Sequence, residues 1–100
     1  MATMKVWYHA GPAQGSFGVQ SLVSEPELAA ETVTTSGTAA DGAAVPTGAS
    51  VAVCYSDTLT YYRVRRAGDT TAATSADKWV AASEFTHVSV KAGDTISFIE

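Results

Sequence analysis

Hydrophobic and polar positions alternate in short runs along this chain, and turn residues cut the runs every few positions. Met4–His9 (MKVWYH) is rich in β-formers and is followed by the breakers Gly11 and Pro12. Ser50–Ser56 (SVAVCYS) places Val51, Val53 and Tyr55 on one face of a strand and the small Ala52 and Cys54 on the other. Thr58–Arg66 follows a tight Ser56-Asp57 turn. Within it Tyr62 and Val64 share one face, and Leu59, Tyr61, Arg63 and Arg65 share the opposite one. Phe85–Val90 and Thr95–Glu100 flank the turn KAGD, whose glycine supplies the backbone freedom of a tight reversal. The apolar run at Thr95–Glu100 is expected to be wedged into a sheet. Two weaker strand candidates are Ser16–Val23 and the β-branched, mostly polar Glu31–Gly37, which reads as an exposed strand. The best helical window is Ser24–Thr32 (SEPELAAET), with a cap at Ser24 and a proline in the first turn; it allows one or two turns at most, and Thr32–Thr35 reads equally as the start of a strand.

These runs predict an all-β fold, a single β-sandwich or jelly-roll-like barrel spanning residues 1–100, with long loops. Two polar segments, Gly37–Gly48 and Ala67–Asp77, are long for hairpin loops. Loops of that length tend to be functional or ordered by a partner. The segment HAGPAQGSFG reads as a flexible connection between strands, and the two AGDT tetrapeptides at Ala67 and Ala92 as two copies of a common turn.

Composition narrows the function. Hydrophobic residues make up 46% of the chain, but much of that is alanine, so the core is expected to come from Val, Ile, Leu and the aromatics. Charged residues are only 16%, which leaves a Thr/Ser/Ala surface of the kind a subunit covered by neighbours tolerates. A net charge of −4 argues against nucleic acid as the main partner, because phosphate binding needs clustered Lys and Arg and the sole basic cluster is Arg63–Arg66. No stretch reaches membrane-spanning length, and MATMKVWYHAGP lacks a signal-peptide core. A single cysteine, Cys54, allows no internal disulfide, in keeping with synthesis in a reducing cytoplasm.

Catalytic and metal signatures are weak. His9, His87, Cys54 and Met4 supply ligand types for copper, but no His follows Cys54 at the short spacing such a site needs, so no metal or cofactor is expected. Cys54 alternates with valines and reads as a small buried residue, and both histidines as ordinary sheet residues. There is no G-x-S-x-G elbow and no P-loop, and Glu25 and Glu27 read as residues of a helix start; no enzymatic activity is expected. The aromatics are more informative. Tyr61 and Tyr62 are adjacent on a strand and must face opposite sides. A Leu59/Tyr61/Arg63/Arg65 strip therefore lies outside the core, where Tyr and Arg suit an interface. Arg66, Trp79 at the end of the polar loop, and Trp7 on the first strand complete the candidate contact residues, although a large aromatic such as Trp79 is first expected in the core, anchoring that loop to the sheet.

From Val45 to Glu100 the chain runs through a proline-glycine turn, a strand, a short acidic turn and a strand carrying aromatics, then an Ala/Thr loop, WVAASEF and a closing VKAGDTISFI. In that order the half-chain resembles small β-rich virion accessory proteins of tailed bacteriophages, which include capsid decoration or cement subunits and head–tail or tail components. The resemblance implies a structural protein of the virion, assembled in the host cytoplasm. It would bind major capsid protein or tail subunits, as a homo-oligomer such as a trimer, and stabilise the particle by burying surface on it. A head–tail or tail accessory role, and a carbohydrate- or receptor-binding module built on the exposed aromatics, are the alternatives.

Overall fold

The computed structural model describes residues 2–10, 12–15, 18–23 and 27–100. Among these described residues ten strands form: β1 (Ala2–His9), β2 (Pro12–Gly15), β3 (Gly18–Val23), β4 (Ala29–Thr35), β5 (Ala40–Asp41), β6 (Val51–Tyr55), β7 (Thr60–Arg65), β8 (Lys78–Val80), β9 (Thr86–Ser89) and β10 (Thr95–Ile99). Two antiparallel four-stranded sheets, ordered β4-β1-β6-β9 and β5-β10-β7-β8, pack as a β-sandwich, and β2 and β3 pair separately. From β4 onward the chain crosses between sheets in the manner of a jelly roll, and β1 fills the slot between β4 and β6.

Alternation decides what each strand buries. β1 turns Ala2, Met4, Val6 and Tyr8 inward and leaves Thr3, Lys5 and Trp7 outward. β6 buries Ala52 and Cys54, which lie beside Tyr8 and Val6 in register; small residues on one strand make room for larger ones on the next. The second sheet contributes Val80, Ile96 and Phe98, all fully buried, with Tyr62 and Val64 packed against them. The apolar terminal run is thus an inner strand of its sheet, paired on both sides. The general expectation that leucine would fill the core does not hold at Leu28, which is exposed, whereas Leu59 is exposed as its place in the outer strip predicts; Met4, Ala49, Ala52 and Cys54 take core positions.

Several other local expectations change once the sheets are assembled. The Ser56-Asp57 and KAGD turns join strands of different sheets, so each is an arch over the sandwich end instead of a hairpin. Ala29–Thr32 is strand, because β4 pairs along its length with β1 and the helix formers there are overruled by that ladder; Ser24–Pro26 of the helical window lie outside the described residues. Within HAGPAQGSFG the strand β2 pairs with β3, and Ser16 and Phe17 of the adjoining candidate lie outside the described residues. The Gly37–Gly48 segment contains β5 and buries Val45.

The two AGDT turns do share one conformation. Gly68 and Gly93 have φ of 90° and 87°, and each following aspartate N–H donates to the carbonyl three residues back, Arg66 and Lys91, at 3.0 Å. A side chain at either glycine would force a backbone that L-residues rarely adopt. The aspartates then diverge. Asp69 is exposed and accepts the Thr71 N–H, which holds its carboxyl below the usual range. Asp94 is buried, accepts the Lys91 N–H and pairs with Arg66, tying one turn to the other.

Inside, one polar seam runs between the sheets. The Tyr8 hydroxyl donates to Glu31, whose carboxylate also accepts the Ala43 N–H at 3.0 Å and so latches β4 to the segment after β5. Burial first, then the Glu31 bond and charge, push the Tyr8 phenol well above its ordinary range. Burial, with a smaller contribution from Glu31, pushes the Cys54 thiol up to about 12.

Candidate functional site

The two outer faces of the sandwich carry the candidate residues. On the β5-β10-β7-β8 sheet the outward set of β7 is Tyr61, Arg63 and Arg65, in register with Ile99, Ser97 and Thr95 of β10. The chain covers half of this face with its own loop, residues 66–77. Arg65 is only 8% exposed; it donates to Asp41 at 2.7 Å and to the Thr71 carbonyl at 3.2 Å. The Ala73 N–H donates to the buried Ser97 hydroxyl at 3.0 Å, and Arg63 pairs with Asp77 at 3.3 Å while Asp77 also accepts the Thr74 N–H. The loop expected to be functional or ordered by a partner is therefore ordered by its own sheet.

That closure sorts the predicted contact residues. Arg65 is spent inside the fold, which corrects its place in an exposed strip; alternation gave its face but not the loop that covers it. Arg63 and Arg66 reach solvent while paired to Asp77 and Asp94. What remains open is the row Leu59, Tyr61 and Trp79. Tyr61 lies opposite Trp79 across the β7–β8 ladder, Leu59 is 41% exposed and Trp79 59% exposed. β8 is an edge strand of only three residues, so Trp79 stands at the rim, with no strand beyond it among the described residues.

Trp7 lies across the core from that row, on the outer face of the β4-β1-β6-β9 sheet. It belongs to a second aromatic group that sequence reasoning did not assemble. Phe85 sits 4.9 Å from the Tyr55 ring and 6.0 Å from Trp7, tilted 42° and 46° to them, and is 64% exposed. Tilted ring pairs at these separations are favourable contacts. Beneath them Val53 is buried between Trp7 and His87 in register. Alternation did group Tyr55 with Val53, but only the pairing of Cys54 with Thr86 brings Phe85 beside Tyr55.

No protein-family model, curated protein or solved structure matches the chain. The surfaces must therefore be read from their own chemistry. Among the described residues no three His, Cys, Asp or Glu side chains gather as a metal-binding set. Cys54 is fully buried and its thiol is held protonated at neutral pH, so it supplies no accessible nucleophile. Among the described residues no helix is long and apolar enough to cross a membrane.

Proposed function

We propose that this chain is a non-enzymatic assembly protein that works by covering neighbouring protein subunits, and that its setting is a bacteriophage particle, most simply as a capsid decoration or cement subunit. The carrying observation is the Leu59/Tyr61/Trp79 row, an apolar strip with Leu59 and Trp79 exposed and Tyr61 half-buried, bounded by Arg63 and placed next to surface that the chain has already closed with its own loop. Interface cores favour Tyr, Trp and Arg, and a rigid sheet loses little freedom when such side chains are covered. The virion setting rests on the resemblance of Val45–Glu100 described above. Copies arrayed on a lattice gain by avidity even when one contact is weak.

The test is co-sedimentation of purified protein with capsids that lack it, together with light scattering for its own oligomeric state. Tyr61→Ala combined with Trp79→Ala should abolish co-sedimentation while the circular dichroism spectrum stays that of the parent. Full occupancy of the particle by that double variant would remove this face from the assembly reading.

A further inference from the structure

The opposite face differs from the Trp79 row in what stands among its rings. Lys5 lies beside Tyr55 on one side and Thr32 on the other, two residues along β1 from Trp7. A shallow hollow opens on each flank of it. One, of about 160 Å³, is lined by Lys5, Trp7, Ala30, Glu31 and Thr32. The other, of about 310 Å³, is lined by Ala2, Thr3, Lys5, Tyr55 and Asp57. Phe85 rises next to Tyr55 and Trp7 as a ridge between aromatic surfaces.

We infer that this face is a binding platform for a neutral sugar chain, with one pyranose unit in each hollow beside Lys5. A pyranose ring is amphipathic: one face is C–H groups, which lie well on an aromatic ring, and the rim is hydroxyls that both donate and accept hydrogen bonds. The platform offers the matching set. Trp7, Tyr55 and Phe85 supply rings, the Lys5 ammonium donates, the Asp57 carboxylate accepts, and the Thr3 and Thr32 hydroxyls do both.

Other occupants fit less well. A protein partner would place Lys5 and Asp57 near the centre of the contact, where interface cores are depleted of Lys and Asp. Single-stranded nucleic acid also stacks on aromatics, but it needs a positive groove to follow its phosphates. Here Lys5 shares its larger hollow with Asp57, on a chain of net charge −4. The hollows lie at or below the lower end of the ~300–1,000 Å³ typical of small-molecule pockets and are open, which suits successive units of a chain lying on a surface more than an engulfed ligand. The inference concerns the face across the core from the assembly row, so it stands or falls separately from that reading.

The experiment is affinity electrophoresis of the purified chain through gels containing, in turn, hydroxyethylcellulose, laminarin, dextran, galactomannan and arabinogalactan. Tryptophan emission is followed in a Trp79→Phe background, where Trp7 is the single reporter. Expected are retardation by at least one polysaccharide, a blue shift of Trp7 emission on binding, and at least about tenfold weaker binding in Phe85→Ala and in Lys5→Ala, the scale of one lost stacking or charged hydrogen-bond contact. Trp79→Phe itself should leave binding unchanged, and Phe85→Ala should still co-sediment with particles. No retardation by any of the five overturns the inference, as does retardation undiminished in both Phe85→Ala and Lys5→Ala. Binding to single-stranded DNA or to capsids that the same two variants abolish also overturns it, assigning the face to that partner instead.

Discussion

The two outer faces of this sandwich solve the same problem in different ways. A four-stranded sheet has a second side, and something must be done with it. On the β5-β10-β7-β8 sheet the chain folds residues 66–77 back over the strands and bonds Arg63, Arg65 and Ser97 from within. On the β4-β1-β6-β9 sheet it leaves the side open and lays aromatic rings across it. Self-covering consumes polar side chains and leaves one apolar rim. The open face keeps Thr3, Lys5 and Thr32 at its surface. The difference teaches that a strand's outward residues become candidates for function only after the loops have taken their share.

The strongest perturbation breaks both faces together, because it acts on the seam between them. The Cys54 thiol ionises at 9.0 when unfolded and at about 12 in the fold, so between those values the unfolded chain has lost a proton that the folded chain keeps. Stability is therefore complete below pH 9 and falls as pH rises toward 12, by up to about 4 kcal/mol from this group at 1.36 kcal/mol per unit. Tyr8 and Tyr62, raised by burial in the same direction, steepen the fall above their ordinary range. Urea midpoints measured from pH 8 to 11 should hold up to about pH 9 and fall from there. Cys54→Ala should flatten the part that begins near pH 9, and a midpoint independent of pH over that range would show that the seam is not sealed from solvent.

The next perturbation separates the faces by opening the self-covered one. Arg65→Ala removes the donor to Asp41 and to Thr71, with most of a buried stem. Asp41 is half exposed and is not stranded by the loss, and Arg65 Nε has no partner among the described residues. The expected cost is about 2 kcal/mol, below that of breaking a fully buried pair. Arg63→Ala, whose side chain is 41% exposed, should cost under about 1 kcal/mol. Limited proteolysis should then cut Arg65→Ala within residues 66–77 while the parent resists, and an uncut loop would mean that Ala73 on Ser97 holds it without the arginine.

Strands β1, β6, β7, β9 and β10 were legible in the sequence, and the reason is local; the short β2, β5 and β8 were not, because they lie in or beside segments read as connections. Alternation along β1, β6 and β7 is a property of a few consecutive side chains, and it correctly put Ala52 and Cys54 on one side and Tyr62 and Val64 together. Which sheet a strand joins is not local. β6 pairs with β1 and β9, far away in the chain, and nothing in SD or KAGD distinguishes an arch from a hairpin. The fate of Arg65 was hidden for the same reason: its face is set by the strand, but its cover is set by a loop whose Thr and Ala residues carry no pattern. Trp7 was named from its position on a strand, whereas Phe85 lies one residue before β9 and meets Tyr55 only through the sheet register. The helical reading of Ala29–Thr32 failed because good helix formers were outbid by the ladder with β1.

The smallest stability effects carry the sharpest comparison. Trp79→Ala and Phe85→Ala each remove a mostly exposed ring, so each should shift the unfolding free energy by only about 0.5 kcal/mol. The faces lie on opposite sides of two sheets packed about 10 Å apart, and substitutions that far apart with no shared partner add to within about 0.5 kcal/mol. The double variant should therefore unfold at the sum of the two single shifts, lose particle binding through one change and sugar binding through the other, and show no cross-effect. A coupling well above that margin in a urea double-mutant cycle would mean that the faces communicate through the core. Phe98 and Ile96, which fill that core from β10, would then be the next residues to substitute.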